Sequence, residues 1–358
     1  MVDPGLETLV GEKLRAAFGP TARLVALSPL AGDASSRRYY RARLNGETVP
    51  ATVIVMELCG SSLPLSSEEL AIFNEPLREL PFINLHRFLS GLGVRIPRLY
   101  GHWVEDGVLF LEDLGDLSLW ERVQGLSPAE VLNWYERAID QMLLIHIAGS
   151  KKRGEDCIAF KQRFDFRLYM WEFEHFIEYG LEKKPGGKIS AAEKEFLIDR
   201  FATISRRLEA EPPCLNHRDY HSWNLMVRGE EVVVIDFQDA LLAPPQYDLA
   251  SLLNDRETDR IIRPDLEERL CGYYLKKRVE MGAPEVGRDQ FLEIYILSAL
   301  QRDLKVVGRF YYLDVVKGKP GYRKYIPPTL RRIKRNLSKV APYDQLIPVL
   351  APHFEEMR

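Results

Sequence analysis

From residue 117 onward the chain is patterned in long amphipathic helical stretches, near 128 to 148, 163 to 180, 190 to 209, 264 to 281 and 288 to 307, and one island breaks that pattern. Between 214 and 237 lie three short β-like pieces, around Cys214 to Asn216, Leu225 to Val227 and Val232 to Ile235, separated by very polar residues. Polar residues punctuating a small sheet inside a helical lobe mark a site. The island reads HRDYHSWNLMVRGEEVVVIDFQD: His217-Arg218-Asp219, then Asn224 five positions after the aspartate, then Asp236-Phe237 twelve positions after the asparagine.

Phosphoryl transfer asks little covalent chemistry of a protein. It needs a carboxylate to orient and deprotonate the acceptor hydroxyl, and oxygen ligands to hold Mg²⁺ on a triphosphate. One loop and one strand end can supply both. Asp219 is then the base, while Asn224 offers a neutral amide oxygen and Asp236 a charged one, both hard donors suited to Mg²⁺. A single loop aspartate is ordinarily a turn or cap residue, so the combination at this spacing carries the signal. His217 reads as a brace for the catalytic loop. His221 stands between loop packing and substrate contact.

The scaffold is consistent with small-molecule chemistry. A chain of 358 residues makes roughly two domains or lobes and buries a large core without disulfides or a structural metal. With 49 Lys+Arg against 52 Asp+Glu, the net charge of −3 argues against nucleic acid or an anionic membrane as partner. Cys59, Cys157, Cys214 and Cys271 lie far apart without a metal-type cluster and read as reduced thiols. No apolar run approaches the roughly 18 residues of a membrane span, and the N-terminus alternates charge with leucine, so a cytoplasmic protein is expected.

The first third predicts a small α+β lobe. Asp3 before Pro4 opens a helix that carries Leu6, Leu9, Val10 and Leu14 on one face and stops at Gly19. Strand-like stretches follow at 23 to 30, 37 to 44 and 48 to 57, the last two joined across Asn45-Gly46, a strong hairpin signal. Helical patterns at 67 to 79 and 83 to 92 precede two more strands, around 98 to 104 and 107 to 112. Small residues in Gly32-Asp33-Ala34-Ser35-Ser36, between two strands, let backbone amides and hydroxyls approach a phosphate, which makes Gly32, Ser35 and Ser36 candidate nucleotide contacts. Period-two alternation groups Arg38 with Tyr40, Ala42 and Leu44 on the less charged face, making Arg38 the inward cation.

The motif HRDxxxxN followed by Asp236-Phe237 is similar to the protein-kinase signature, with Gln238 in place of the DFG glycine and no APE. Ala243 to Ala250, APPQYDLA, resembles the PxxYDLA segment of the aminoglycoside phosphotransferase family, small-molecule relatives of protein kinases. Within it, PLAGDASSRRYYR (29 to 41), FDFRLYMWEFEHFIEY (164 to 179) and LQRDLKVVGRF (300 to 310) look like the bacterial branch that phosphorylates the anomeric hydroxyl of N-acetylmuramate and N-acetylglucosamine in cell-wall recycling. The resemblance implies a bilobal α+β fold, with residues 1 to 113 as nucleotide lobe and 114 to 358 as catalytic and acceptor lobe, and Mg-ATP in the cleft. It also implies purine contacts at the Glu112 carbonyl and the Leu114 amide.

One departure stands out: the third strand, Ala51 to Leu58, lacks the lysine that grips the α- and β-phosphates, and Val55-Met56 occupies that neighbourhood. Either an arginine such as Arg38 substitutes, or nucleotide affinity is impaired and the chain is a pseudokinase-like regulator. For the acceptor, helical spacing aligns Asp165, Leu168, Glu172 and Phe176, a mixture of carboxylates and apolar groups that a sugar site requires. Gln301, Arg302 and Lys305 on a later helix are candidates to meet a carboxylate such as the lactyl group of N-acetylmuramate. Rival acceptors are an aminoglycoside, choline or a hydroxy amino acid.

Overall fold

The computed structural model describes residues 2–30, 37–46, 49–58, 79–153 and 156–358. Helix α1 (Pro4–Phe18) begins where the Asp3 carboxylate accepts the Gly5 amide at 3.0 Å. It buries Leu6, Val10 and Leu14 on a five-stranded antiparallel sheet of β1 (Arg23–Pro29), β2 (Arg38–Asn45), β3 (Thr52–Glu57), β4 (Leu99–Trp103) and β5 (Val108–Glu112), ordered β1-β2-β3-β5-β4. In the β2–β3 register Arg38 faces Glu57, Tyr40 faces Val55 and Ala42 faces Val53.

Alternation splits the sheet into two surfaces. Tyr40, Ala42, Leu44, Val53, Val55, Val108 and Phe110 pack with α1 into a small core of their own. On the opposite surface Met56, Leu109 and Leu111, with Tyr39 and Ile54, join the core of the helical part through α2 (Pro81–Gly91). That second surface roofs the cleft. Of the helical pattern expected over 67 to 79, only Glu79 lies among the described residues, and it pairs with Arg87 at 2.8 Å on the surface.

The helical part starts with α3 (Leu119–Arg122) and α4 (Pro128–Leu143), each opened by a reciprocal capping box, Ser118 with Glu121 and Ser127 with Glu130. Then come α5 (Phe166–His175), α6 (Ala191–Glu209), the pairs β6 (Cys214–Asn216) with β9 (Leu241–Ala243) and β7 (Leu225–Arg228) with β8 (Glu231–Val234), and α7 (Gln246–Leu253). Helices α8 (Pro264–Glu280), α9 (Arg288–Val315), α10 (Ile326–Leu337) and α11 (Leu346–Leu350) complete it. Helix α9 runs past the expected end near 307 because Phe310 and Leu313 continue its buried stripe. Strand β9 and the C-terminal helices α10 and α11 were not anticipated from the sequence pattern. Cys157 and Cys271 are buried, Cys214 half-buried, and all three are free; Cys59 lies outside the described residues.

Candidate active site

The two small strand pairs exist to hold one loop. Strand β6 delivers the chain to His217-Arg218-Asp219, Asn224 immediately precedes β7, and Asp236 follows β8 after one residue. Arg218 (φ 80°) and Asp236 (φ 64°) take left-handed backbone conformations that such residues hold only when their surroundings impose them. Buried Asp248 supplies much of that constraint. Its carboxylate accepts the His217 amide at 2.6 Å and the Arg218 amide at 2.9 Å, and lies 3.1 Å from His146 Nε2. The His217 ring is itself buried and donates from Nε2 to the Ile235 carbonyl at 2.9 Å, tying the loop to the strand end that carries Asp236. His217 thus positions the loop and does not face the reacting groups.

Asp219, Asn224 and Asp236 converge. Asn224 donates from Nδ2 to the Asp219 carbonyl at 3.0 Å and lies 3.4 Å from Asp236 Oδ2, while its own carbonyl accepts the Ile235 amide at 3.0 Å. Gln238 donates to Asp236 Oδ1 at 2.9 Å and to Asp239 Oδ2 at 3.1 Å, so this residue fixes the carboxylate's orientation. Asp236 is pushed up from the ordinary carboxylate range, first by loss of hydration at the cleft floor and then by Asp239 and Asp219. Concentrated negative charge of this kind fits a cation held by the Asn224 amide oxygen and Asp236.

Asp219 keeps its side chain 39% exposed to the cleft, and Arg302, 3% exposed, donates to its Oδ1 and to the Arg218 carbonyl, each at 3.1 Å. Burial pushes this carboxyl up, but Lys305, Arg302 and Arg218 outweigh it and hold Asp219 well below the usual carboxylate range. His221 is lowered to about 4, chiefly by burial and then by Arg256 and Arg302 against the opposing pull of Asp255, so it is neutral at physiological pH.

Several expected acceptor contacts are corrected. Asp165 is spent as the N-cap of α5, accepting the Leu168 amide at 2.8 Å. Glu172 is wholly buried behind the base, where Gln301 and Lys305 each donate to it at 2.7 Å and Arg218 at 3.3 Å, so it anchors cations and meets no ligand. Arg302, expected at a substrate carboxylate, is turned onto Asp219. Helical spacing found these side chains but not their partners.

On the nucleotide side Arg38 is also corrected. The face it shares with Tyr40 is the one packed by α1, away from the cleft, and its side chain is 63% exposed and pairs with Glu57 at 3.0 Å. Alternation was read correctly; which face forms the cleft was not. Arg37, buried, has the opposite parity and lies against Tyr39, whose phenol also feels Asp236 and Asp239. Met56 and Ile54 fill the cleft face of β3 where a lysine would stand. Gly32, Ser35 and Ser36 lie outside the described residues. Glu112 and Leu114 lie where the sheet ends and the chain crosses to the helices, and Glu112 is buried, its carboxylate held by Arg95 at 2.8 and 2.9 Å, by the Arg98 amide at 3.1 Å and by Arg228. Gln238 and Asp248, which hold the site's geometry, were not singled out from the sequence as site residues; the latter sits in the quoted PPQYDLA segment, so its signal was present.

A mixed α+β fold that brings Asp219, Asn224 and Asp236 together defines a class, and the chain belongs to the phosphotransferase enzyme family, whose model matches residues 26–282. It is 27% identical over 324 residues to an N-acetylmuramate/N-acetylglucosamine kinase of Pseudomonas aeruginosa, covering 89% of this chain and 85% of that one. To the kinase of the same name from Caulobacter vibrioides it is 29% identical, covering 83% of this chain and 84% of the relative. Among solved structures, the choline kinase LicA from Streptococcus pneumoniae superposes with a TM-score of 0.58 at 16% identity, covering 94% of this chain and 100% of that one. The ADP-bound aminoglycoside phosphotransferase APH(2'')-Ib gives 0.56 at 14% identity, covering 92% of this chain and 98% of that one. The fold is theirs.

Proposed function

We propose that this chain is an ATP-dependent, cytoplasmic kinase that phosphorylates the anomeric hydroxyl of N-acetylmuramate or N-acetylglucosamine, with residues 1–113 as nucleotide lobe and 114–358 as catalytic and acceptor lobe. The observation that carries the reading is the convergence of Asp219, Asn224 and Asp236 at the ends of two small strand pairs, with the Asp219–Arg302 pair at 3.1 Å. Its support from relatives is the shared kinase name at 27% and 29% identity over most of the chain.

When bound, Mg-ATP supplies the phosphoryl group and the charge neutralisation that its transfer requires. Asn224 and Asp236 would hold the cation, and Gln238 keeps Asp236 aimed at it. Asp219, held ionised by its cationic neighbours, orients the acceptor hydroxyl and takes its proton as the new O–P bond forms and the bond from the γ-phosphorus to the β,γ-bridging oxygen breaks, with ADP as leaving group. A carboxylate so stabilised is a weak base. An anomeric hydroxyl, more acidic than an ordinary alcohol, suits it better than choline or an unactivated ring hydroxyl does.

The test is incubation of purified protein with Mg-ATP and a panel of amino sugars, aminoglycosides and amino alcohols, with phosphorus and proton NMR of the product. The reading expects one phosphate on C1 of the N-acetylated sugars. Transfer to an amino alcohol or an aminoglycoside instead would refute it.

A further inference from the structure

Only three described residues other than glycine adopt left-handed backbone angles: Arg218, Asp236 and Arg256. The first two belong to the catalytic machinery. Arg256 (φ 41°) has no part in it, although a long-chain residue in this region is held against its own preference and such strain concentrates at functional sites.

The surroundings of Arg256 impose that conformation. Buried Arg332 donates to the Arg256 carbonyl at 3.2 Å and is itself fixed by two bonds to Asp303, at 2.7 and 2.9 Å. One residue earlier, the Asp255 carbonyl accepts the Thr258 amide at 2.8 Å. The result is a guanidinium set 4.7 Å from the Trp223 ring centre and 5.7 Å from that of Tyr325, with 18% of the side chain exposed. Trp223 immediately precedes Asn224, and its ring lies 6.1 Å from that of His221. Arg256 therefore stands beside the catalytic loop, on the flank formed by Trp223 and Tyr325.

Arg256 and Arg302 share one carboxylate. The carboxylates already have partners: Asp255 lies 3.6 Å from Arg256 and 3.8 Å from Arg302, Asp219 is taken by Arg302, and Glu172 by Lys305. An acceptor with a carboxylate meets a planar guanidinium whose stem is already immobilised between aromatic faces.

We propose that Arg256 is a specificity-determining residue that binds the carboxylate of an acidic acceptor sugar, favouring a carboxylate-bearing N-acetylated amino sugar over its neutral counterpart. This inference rests on the amino-sugar reading above. The strained backbone and the packing against the Trp223 and Tyr325 rings fix where the guanidinium lies.

The test compares kcat/KM for N-acetylmuramate and N-acetylglucosamine in the wild type, Arg256→Gly, Arg256→Gln and Arg256→Lys. Glycine removes the side chain and accepts the left-handed angle without strain, so Arg256→Gly is expected to fold, and thermal unfolding checks that it does. The expected result is a fall of at least tenfold in the acid-to-neutral ratio for Arg256→Gly and Arg256→Gln, carried by KM for the acid and partly restored in Arg256→Lys. A ratio within twofold of wild type in folded variants, or equal losses for both sugars, overturns the role of Arg256 and leaves the amino-sugar reading intact. Failure of the wild type to phosphorylate either sugar sinks that reading, and this proposal with it.

Discussion

Asp219 is partly exposed yet surrounded from behind by Lys305, Arg302 and Arg218, so the side chain proposed as base is also the counter-ion for a buried arginine. Asp219→Asn removes both roles. Turnover should fall by about 10² to 10⁴, the usual worth of a positioned general base, while Mg-ADP affinity measured by calorimetry stays within a few fold. Near-normal turnover would remove Asp219 from the chemistry. A neighbouring pair of arginines separates two readings of the missing lysine. Arg37 lies on the cleft face with Tyr39, whereas Arg38 pairs with Glu57 on the other. Arg37→Ala should weaken Mg-ADP binding by tenfold or more with little change for adenosine, since only the phosphates lose a partner; Arg38→Ala should bind both normally. The reverse pattern would restore Arg38. These residues show what local pattern reveals: parity along β2 was legible, but only the docking of α1 declares which face is the outside.

At the scale of elements, the catalytic loop is a product of short strands too small to be stable alone, and its geometry is enforced by α7, α9 and the neighbouring packing. Helix α9 approaches the helical turn that extends α5 so closely that a Cβ on Gly308 would lie 2.7 Å from the Phe176 Cα and 3.1 Å from the His175 carbonyl. Gly308→Ala should therefore destabilise the protein by about 1–3 kcal/mol despite alanine's better helix propensity, read as a lowered Tm. An unchanged or raised Tm would mean the two segments separate freely. The long helices were legible because a buried stripe repeats along them. Strand β9 was not, since three residues carry too little periodicity to register; its existence depends on pairing with β6.

Across the whole molecule, Glu112 couples the parts. Its buried carboxylate takes Arg95 from the segment before β4 and Arg228 from β7, while Arg95 also reaches Glu231 at 3.0 Å. Glu112→Gln leaves two arginines short of a counter-charge and should cost about 1–3 kcal/mol of stability in denaturant unfolding, with a shallower or biphasic transition if the lobes then unfold separately. A single transition at the wild-type midpoint would show that the lobes are joined by apolar contact alone.

The succession of the long helices, the antiparallel pairing of β2 with β3 and the spacing of Asp219, Asn224 and Asp236 were readable in the chain, because each depends on near neighbours whose separation the backbone dictates, although β3 begins at Thr52, later than the expected 48. Tertiary structure alone decided that Arg302, 83 positions away, meets the base, that Glu172 is buried among cations, and that Asp165 caps a helix. A helix face names which side chains travel together; what they touch depends on the element packed against them, and burial then determines whether a charge is free to meet a ligand or must be neutralised within the protein.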